Sequence, residues 1–223
     1  MDEVRRLWRG DSIPVVDGLG NNTEVRTFPR PVQPELPVWL TSSGSVDTFR
    51  AAGQARAGLL THLLGQDVGS LTKKIAQYRE AASAADPRGW PGHVVLMVHT
   101  FVGRDDDAIR ELVREPMTRY MRSSLNLILG SRDLESYSAG GLRPDEIDYL
   151  VNRSFDRYLD HDGMMGSIDK VRHTVAGFEA MGVDEVACLI DFGLPADQVL
   201  GGLEHLAQVR EPAHVQPIAG GLR

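Results

Sequence analysis

Residues 36–66, LPVWLTSSGSVDTFRAAGQARAGLLTHLLGQ, constrain the fold of this chain more than any other stretch. An apolar run (Val38–Thr41) meets a turn of small polar residues (Ser42–Ser45). A helical segment (Val46–Ala55) and a second apolar run (Gly58–His62) follow. Strand, turn, helix and strand in that order form a βαβ unit, whose crossover makes the two strands parallel. The turn opens straight into the helix. Its backbone N–H groups and hydroxyls therefore stand at the positive end of the helix dipole, where a phosphate can sit. The expectation is an α/β protein that holds a phosphorylated ligand at the C-terminal ends of its strands.

The rest of the chain extends this pattern. Asp2–Arg9 reads as a helix closed by Gly10, and Ile13–Phe28 as a hairpin turning at 17–22. Prolines 29, 31, 34 and 37 mark an extended connector. Helix Gly69–Ser83 carries Leu71, Ile75, Tyr78 and Ala82 on one face, and His93–Phe101 is a strand buried on both faces. Asp105–Tyr120 is a helix with acids in its first turn, and Ser123–Leu142 reads as a long loop or lid. Helix Pro144–Leu159 turns Ile147, Leu150, Val151, Phe155 and Tyr158 inward, and Met164–Met165 falls in a lid-like region. Ser167 caps a helix that runs to Met181, Glu185–Asp191 is the last strand, and Ala196–Arg210 the last helix. The organisation is one partial domain: residues 1–36 as helix end, hairpin and connector, 37–210 as βα units, and 211–223 as a loose tail.

Composition narrows the function. A net charge of −7 gives no electrostatic case for nucleic acid or an anionic membrane. No apolar run approaches the roughly 20 residues of a membrane helix. The single cysteine, Cys188, sits in an apolar run with nothing cationic beside it, which reads as a buried structural thiol in a reduced, cytoplasmic setting. Four strands with polar or small C-terminal ends (Thr41–Ser45, Thr61–His62, His99–Thr100, Asp191–Gly193) are half of a (β/α)8 barrel, whose sites collect at that end.

Six segments, in order, carry a family resemblance. They are VRRLWRG (4–10), RPVQPELPVWLTSSGSVDTFRAAG (30–53), LLTHLLGQ (59–66), EIDYLVNRSFDRYL (146–159), GMMGSIDKVRHTVAGFEAMGVDEVACLIDFG (163–193) and the VLGGLEHL that follows. Together they resemble the C-terminal part of a flavin-dependent luciferase-like monooxygenase, of the branch found in natural-product biosynthesis and its megasynthases. The resemblance implies a parallel (β/α) barrel truncated to its second half, with roughly strands one to four missing. It implies reduced FMN from a separate flavin reductase, O2 as co-substrate, and a small or carrier-protein-bound substrate.

The resemblance also assigns residues. Thr41, Ser42, Ser43, Gly44, Ser45 and Thr48 would grip the flavin phosphate; the alternative is that Ser45 only caps its helix. Thr61 and His62 would face the barrel mouth, His62 protonating or stabilising an oxygenated flavin, or else bonding a neighbouring loop. His99 either lines the same pocket or is a satisfied core histidine. Asp191 either contacts substrate or bonds the turn at Gly193. No metal site is expected, because Cys188, His161, His173 and His205 lack ligand spacing. A half barrel leaves strand edges open at Val38–Thr41 and Glu185–Asp191. The chain is therefore expected to form a homodimer. The rival to enzyme function is a flavin-binding or scaffold protein that dimerises or pairs with a missing N-terminal half.

Overall fold

The computed structural model describes residues 1–86, 89–124 and 143–210. The chain divides into two compact units, Met1–Leu60 with Gln77–His93, and Thr61–Ala76 with Val94–Arg223. The expected lid, apart from Ser123 and Ser124, which end the preceding helix, and the expected tail lie outside the described residues.

In the first unit, helix α1 (Asp2–Arg9) ends at Gly10 in a left-handed conformation, φ 88°. The hairpin follows as β1 (Ile13–Val16) and β2 (Asn22–Val25), paired antiparallel. Its turn is tied by Asp17, whose carboxylate accepts from the Leu19 and Asn21 amides at 2.9 Å each; these bonds hold its pKa below the usual carboxylate value. Strand β3 (Trp39–Thr41) pairs in parallel with β4 (Gly58–His62), joined by α2 (Val46–Gln54). Phe49 and Ala52 of α2 are fully buried. The second half of α3 (Val68–Ala85) supplies Tyr78, whose hydroxyl donates to the Ala57 carbonyl at 2.8 Å and accepts from the His93 amide at 2.9 Å.

In the second unit, β5 (Val94–Gly103) is the longest strand. It pairs in parallel with β6 (Met164–Ser167) near its end and with β7 (Glu185–Leu189) along its first half. Helices α4 (Asp106–Ser123) and α5 (Pro144–Arg157) bury one core: Ile109, Val113, Met117 and Met121 from the first, Val151 and Phe155 from the second. Asp105 caps α4 by accepting from the Ala108 amide at 2.7 Å. Helices α6 (Ile168–Ala180) and α7 (Ala196–Val209) complete the unit.

The α/β class and the parallel pairing agree with the sequence reading. Two local expectations do not, and the alternative reading of Ser45 is met only in part. Met164 and Met165 form β6 and are buried, because a five-residue π-turn (Tyr158–Asp162) feeds the chain straight into a strand position beside β5. Cys188 is only half-buried: β7 has β5 as its single strand neighbour among the described residues, so the thiol lines a groove of about 840 Å³ with Val186, Val175, Phe178, Leu203 and Leu206. Ser45 occupies the N-cap of α2 with extended backbone, yet its side chain makes no cap hydrogen bond.

Candidate active site

The second unit gathers Thr61, His62 and His99, at the C-terminal end of β4 and within β5. Thr61 is fully buried. Gln66 turns back over it, its Nε2 donating to Thr61 Oγ1 at 3.5 Å and to the His62 carbonyl. Lys74 in turn donates to Gln66 Oε1 at 2.9 Å. Burial pulls the Lys74 pKa down, with the Asp67 carboxylate opposing. His62 Nδ1 is buried without a hydrogen-bond partner, so the ring is not held by a neighbouring loop through that atom. Desolvation lowers the His62 pKa; the Leu64 backbone opposes the drop and the Lys74 ammonium adds to it.

His99 is 4% exposed, and its backbone N–H donates to Tyr158 Oη at 3.1 Å. Its ring Nδ1 lies 3.1 Å from the same oxygen. Edge-on rings enclose it: Tyr120 at 4.5 Å, and Tyr158 and Phe192 at 5.7 Å each. Burial holds its pKa down at about 4; the Asp191 carboxylate pulls up and His62 pushes down. Asp191 thus acts on His99 through space, while the Tyr158 pKa is raised by burial. Tyr158 opens the π-turn, a form frequent at functional sites. At the other end of that turn Asp162 is buried, with an ion pair to Arg157 at 3.3 Å. Two imidazoles whose pKa values are lowered by desolvation, His99 within an aromatic wall and His62 half-buried, suit hydrogen bonding or proton transfer to a ligand and not charge pairing.

The first unit gathers Thr41, Ser42, Ser43, Gly44, Ser45 and Thr48 in one turn. The Ser42 amide donates to the Leu60 carbonyl at 3.0 Å, which pins the turn to β4. The first bond of α2 runs from the Phe49 amide to the Ser45 carbonyl, so the amides before Phe49 have no partner within the helix. A Cβ added at Gly44 would meet nothing within 4 Å, so the protein's own packing does not require glycine there. The amides at the start of α2, with the Ser45 hydroxyl outside any cap bond and room at Gly44, are arranged as at helix starts that take an anion.

Sequence reasoning treated Tyr158 only as a core residue and did not single out Tyr120, Phe192, Gln66 or Lys74. For Tyr158 a signal was present: a tyrosine on an inward helix face must place its hydroxyl on a partner. Among the described residues no group of His, Cys, Asp and Glu is arranged to hold a metal ion, and no helix is long and apolar enough to cross a membrane.

Comparison with known proteins adds the relationship. The family described as luciferase-like monooxygenase matches residues 1–185. The fold is similar to that of the monooxygenase RslO1 from Streptomyces bottropensis, with TM-score 0.65 and 18% identity over 94% of this chain and 58% of that one. It is similar to the oxygenating constituent of 3,6-diketocamphane monooxygenase from Pseudomonas putida, a type II Baeyer-Villiger enzyme solved in complex with FMN (TM-score 0.59, 18% identity, 93% of this chain and 61% of that one). An F420-dependent secondary alcohol dehydrogenase is also similar (TM-score 0.56, 16% identity, 92% of this chain and 58% of that one). The chain thus spans about three-fifths of the length of these structures. No curated protein matches it.

Proposed function

The chain belongs to the luciferase-like monooxygenase family, and on that premise we propose that it is an FMN-dependent monooxygenase. It would take reduced FMN from a separate reductase and use O2 to oxidise a small or carrier-protein-bound natural-product intermediate. The observation that carries this reading is the turn at Thr41–Thr48, with its helix start, open Gly44 and Ser45 hydroxyl outside the cap. Those residues fit a phosphate dianion. A bound flavin would supply the redox chemistry with O2. The first unit's part is to hold the phosphate at the turn; within the second unit the aromatic wall of Tyr120, Tyr158 and Phe192 keeps water from His99. His62 and His99 offer neutral imidazoles to oxygen or nitrogen atoms of a ligand. Mixing the protein with photoreduced FMN and then O2 tests the proposal. A reoxidation rate changed by the protein, and changed again in His62→Ala, supports it. Reoxidation at the rate of free flavin contradicts it.

One observation favours a second reading. Among the described residues β3 pairs only with β4, and β7 only with β5. Unpaired edges are usually covered. On this reading the chain forms a homodimer, or pairs with a chain that supplies further strands, and serves as a flavin-binding scaffold. Light scattering across a concentration series tests self-association: a monomer mass throughout contradicts the homodimer.

A further inference from the structure

Hydrogen-bond accounting around His99 leads beyond the two histidines as a pair. Tyr158 Oη has one proton to give and lone pairs to receive. The His99 backbone N–H must donate, and it donates to Oη at 3.1 Å. That leaves the Tyr158 proton, in a residue 2% exposed. The only acceptor it meets among the described residues is His99 Nδ1, at 3.1 Å. If Nδ1 carried the imidazole proton, Oη would face two donors and its own proton would be buried without an acceptor. Such an orphaned group is costly in a dry site. With Nδ1 as acceptor every polar atom of the pair is satisfied, and the ring proton resides on Nε2. Nε2 has no hydrogen-bond partner among the described residues. The neighbouring rings, Tyr120 and Phe192, meet the imidazole edge-on and fix its plane.

We propose that Tyr158 is a positioning residue that locks His99 in its Nε2–H tautomer, so that Nε2–H is a fixed hydrogen-bond donor for an oxygen or nitrogen acceptor on the ligand. The lock needs both bonds at once. The backbone amide sets where Oη sits, and the ring then takes the proton that Oη has left to give. The π-turn contributes by starting at Tyr158: its wider winding carries the chain from α5 to β6 while the Gly163 amide returns to the Tyr158 carbonyl at 2.7 Å. The tautomer is a property of the protein alone, whereas its use as a donor to a ligand rests on the flavin-site reading above.

Imidazole nitrogen NMR on the ¹⁵N-labelled, flavin-free chain tests the lock apart from that reading. The native protein should show a pyrrole-like Nε2 and a pyridine-like Nδ1 for His99. Tyr158→Phe should convert this to a mixture of tautomers, and Tyr120→Phe, which removes a hydroxyl not bonded to His99, should leave it unchanged. A pyrrole-like Nδ1 in the native chain overturns the proposal, as does an unchanged tautomer in Tyr158→Phe. If Tyr158→Phe fails to fold, incorporation of 3-fluorotyrosine, a stronger O–H donor, should shift the Nδ1 resonance; no shift overturns it. With reduced FMN, Tyr158→Phe should then lower turnover more than it raises KM. Absence of the NMR signature from the native chain would sink the lock whatever the flavin assays show, and a flavin failure alone would leave the lock standing.

Discussion

In the second unit β4 and β5 bury Thr61 and His99, with His62 half-buried between them in sequence. Thr61 is fully buried and His99 is 4% exposed; Gln66, itself bonded by Lys74, meets the Thr61 hydroxyl, and Tyr158 meets His99 Nδ1. In the first unit β3 runs into a turn in which Thr41, Gly44 and Ser45 are exposed, and the cap hydroxyl is not used for capping. Both regions are strand ends of one α/β pattern, yet they differ in burial and in how their polar groups are used, a difference that the proposed function turns into different tasks. A group that must keep one tautomer and one charge needs fixed neighbours and low dielectric. A group that must take up and release an anion needs donors that the fold leaves available.

The comparison can be broken most sharply in the core behind His99. Phe155 is fully buried, with the Arg114 guanidinium 4.6 Å from its ring centre. Phe155→Ala should cost about 3–5 kcal/mol in urea unfolding. A cost under about 1 kcal/mol would mean that the second unit is not close-packed. The next effect is pH dependence. His99 titrates at about 4 in the folded chain against 6.5 ordinarily, so the unfolded chain binds its proton first. Its contribution is fully present above pH 6.5 and is lost as pH falls through 6.5 towards 4, by roughly 3 kcal/mol in all. His99→Gln should flatten that part of the stability profile; an unaltered slope would show that the ring is solvated.

A smaller effect separates two glycines of the first unit. A Cβ at Gly53 would lie 2.5 Å from the Tyr78 carbonyl oxygen and 2.7 Å from the Ala82 nitrogen. Gly53→Ala should therefore cost about 1–3 kcal/mol as backbones shift apart. Gly44→Ala should change thermal stability little and weaken FMN binding instead. Smallest are the helix caps. Asp105→Ala should cost about 1 kcal/mol because its carboxylate accepts from Ala108. Ser45→Ala should cost less than about 0.5 kcal/mol, since no cap bond is lost.

Much of the fold was legible because hydrophobic periodicity is local. The face Leu71, Ile75, Tyr78, Ala82 is buried throughout, and the hairpin and each βα unit lie where turn and helix signals place them. Strand β6 was not legible. Four residues between a π-turn and a helix have no period of their own, and only pairing with β5 makes them a strand. The half-exposure of Cys188 was hidden for a related reason: an apolar run does not reveal how many neighbours its strand will have. At the site, residue types marked His62, His99 and the Ser-rich turn. The partner that fixes His99 could not be read, because Tyr158 lies 59 positions away and meets it only through tertiary packing.

Titrating the protein with FMN while following flavin fluorescence, with Ser43→Asp alongside, tests most directly whether the first-unit turn is a phosphate site. Saturable binding to the native chain, abolished in a folded Ser43→Asp variant by the added negative charge, is the result expected. Binding that survives Ser43→Asp unchanged, or no saturable binding to the native chain, would contradict it.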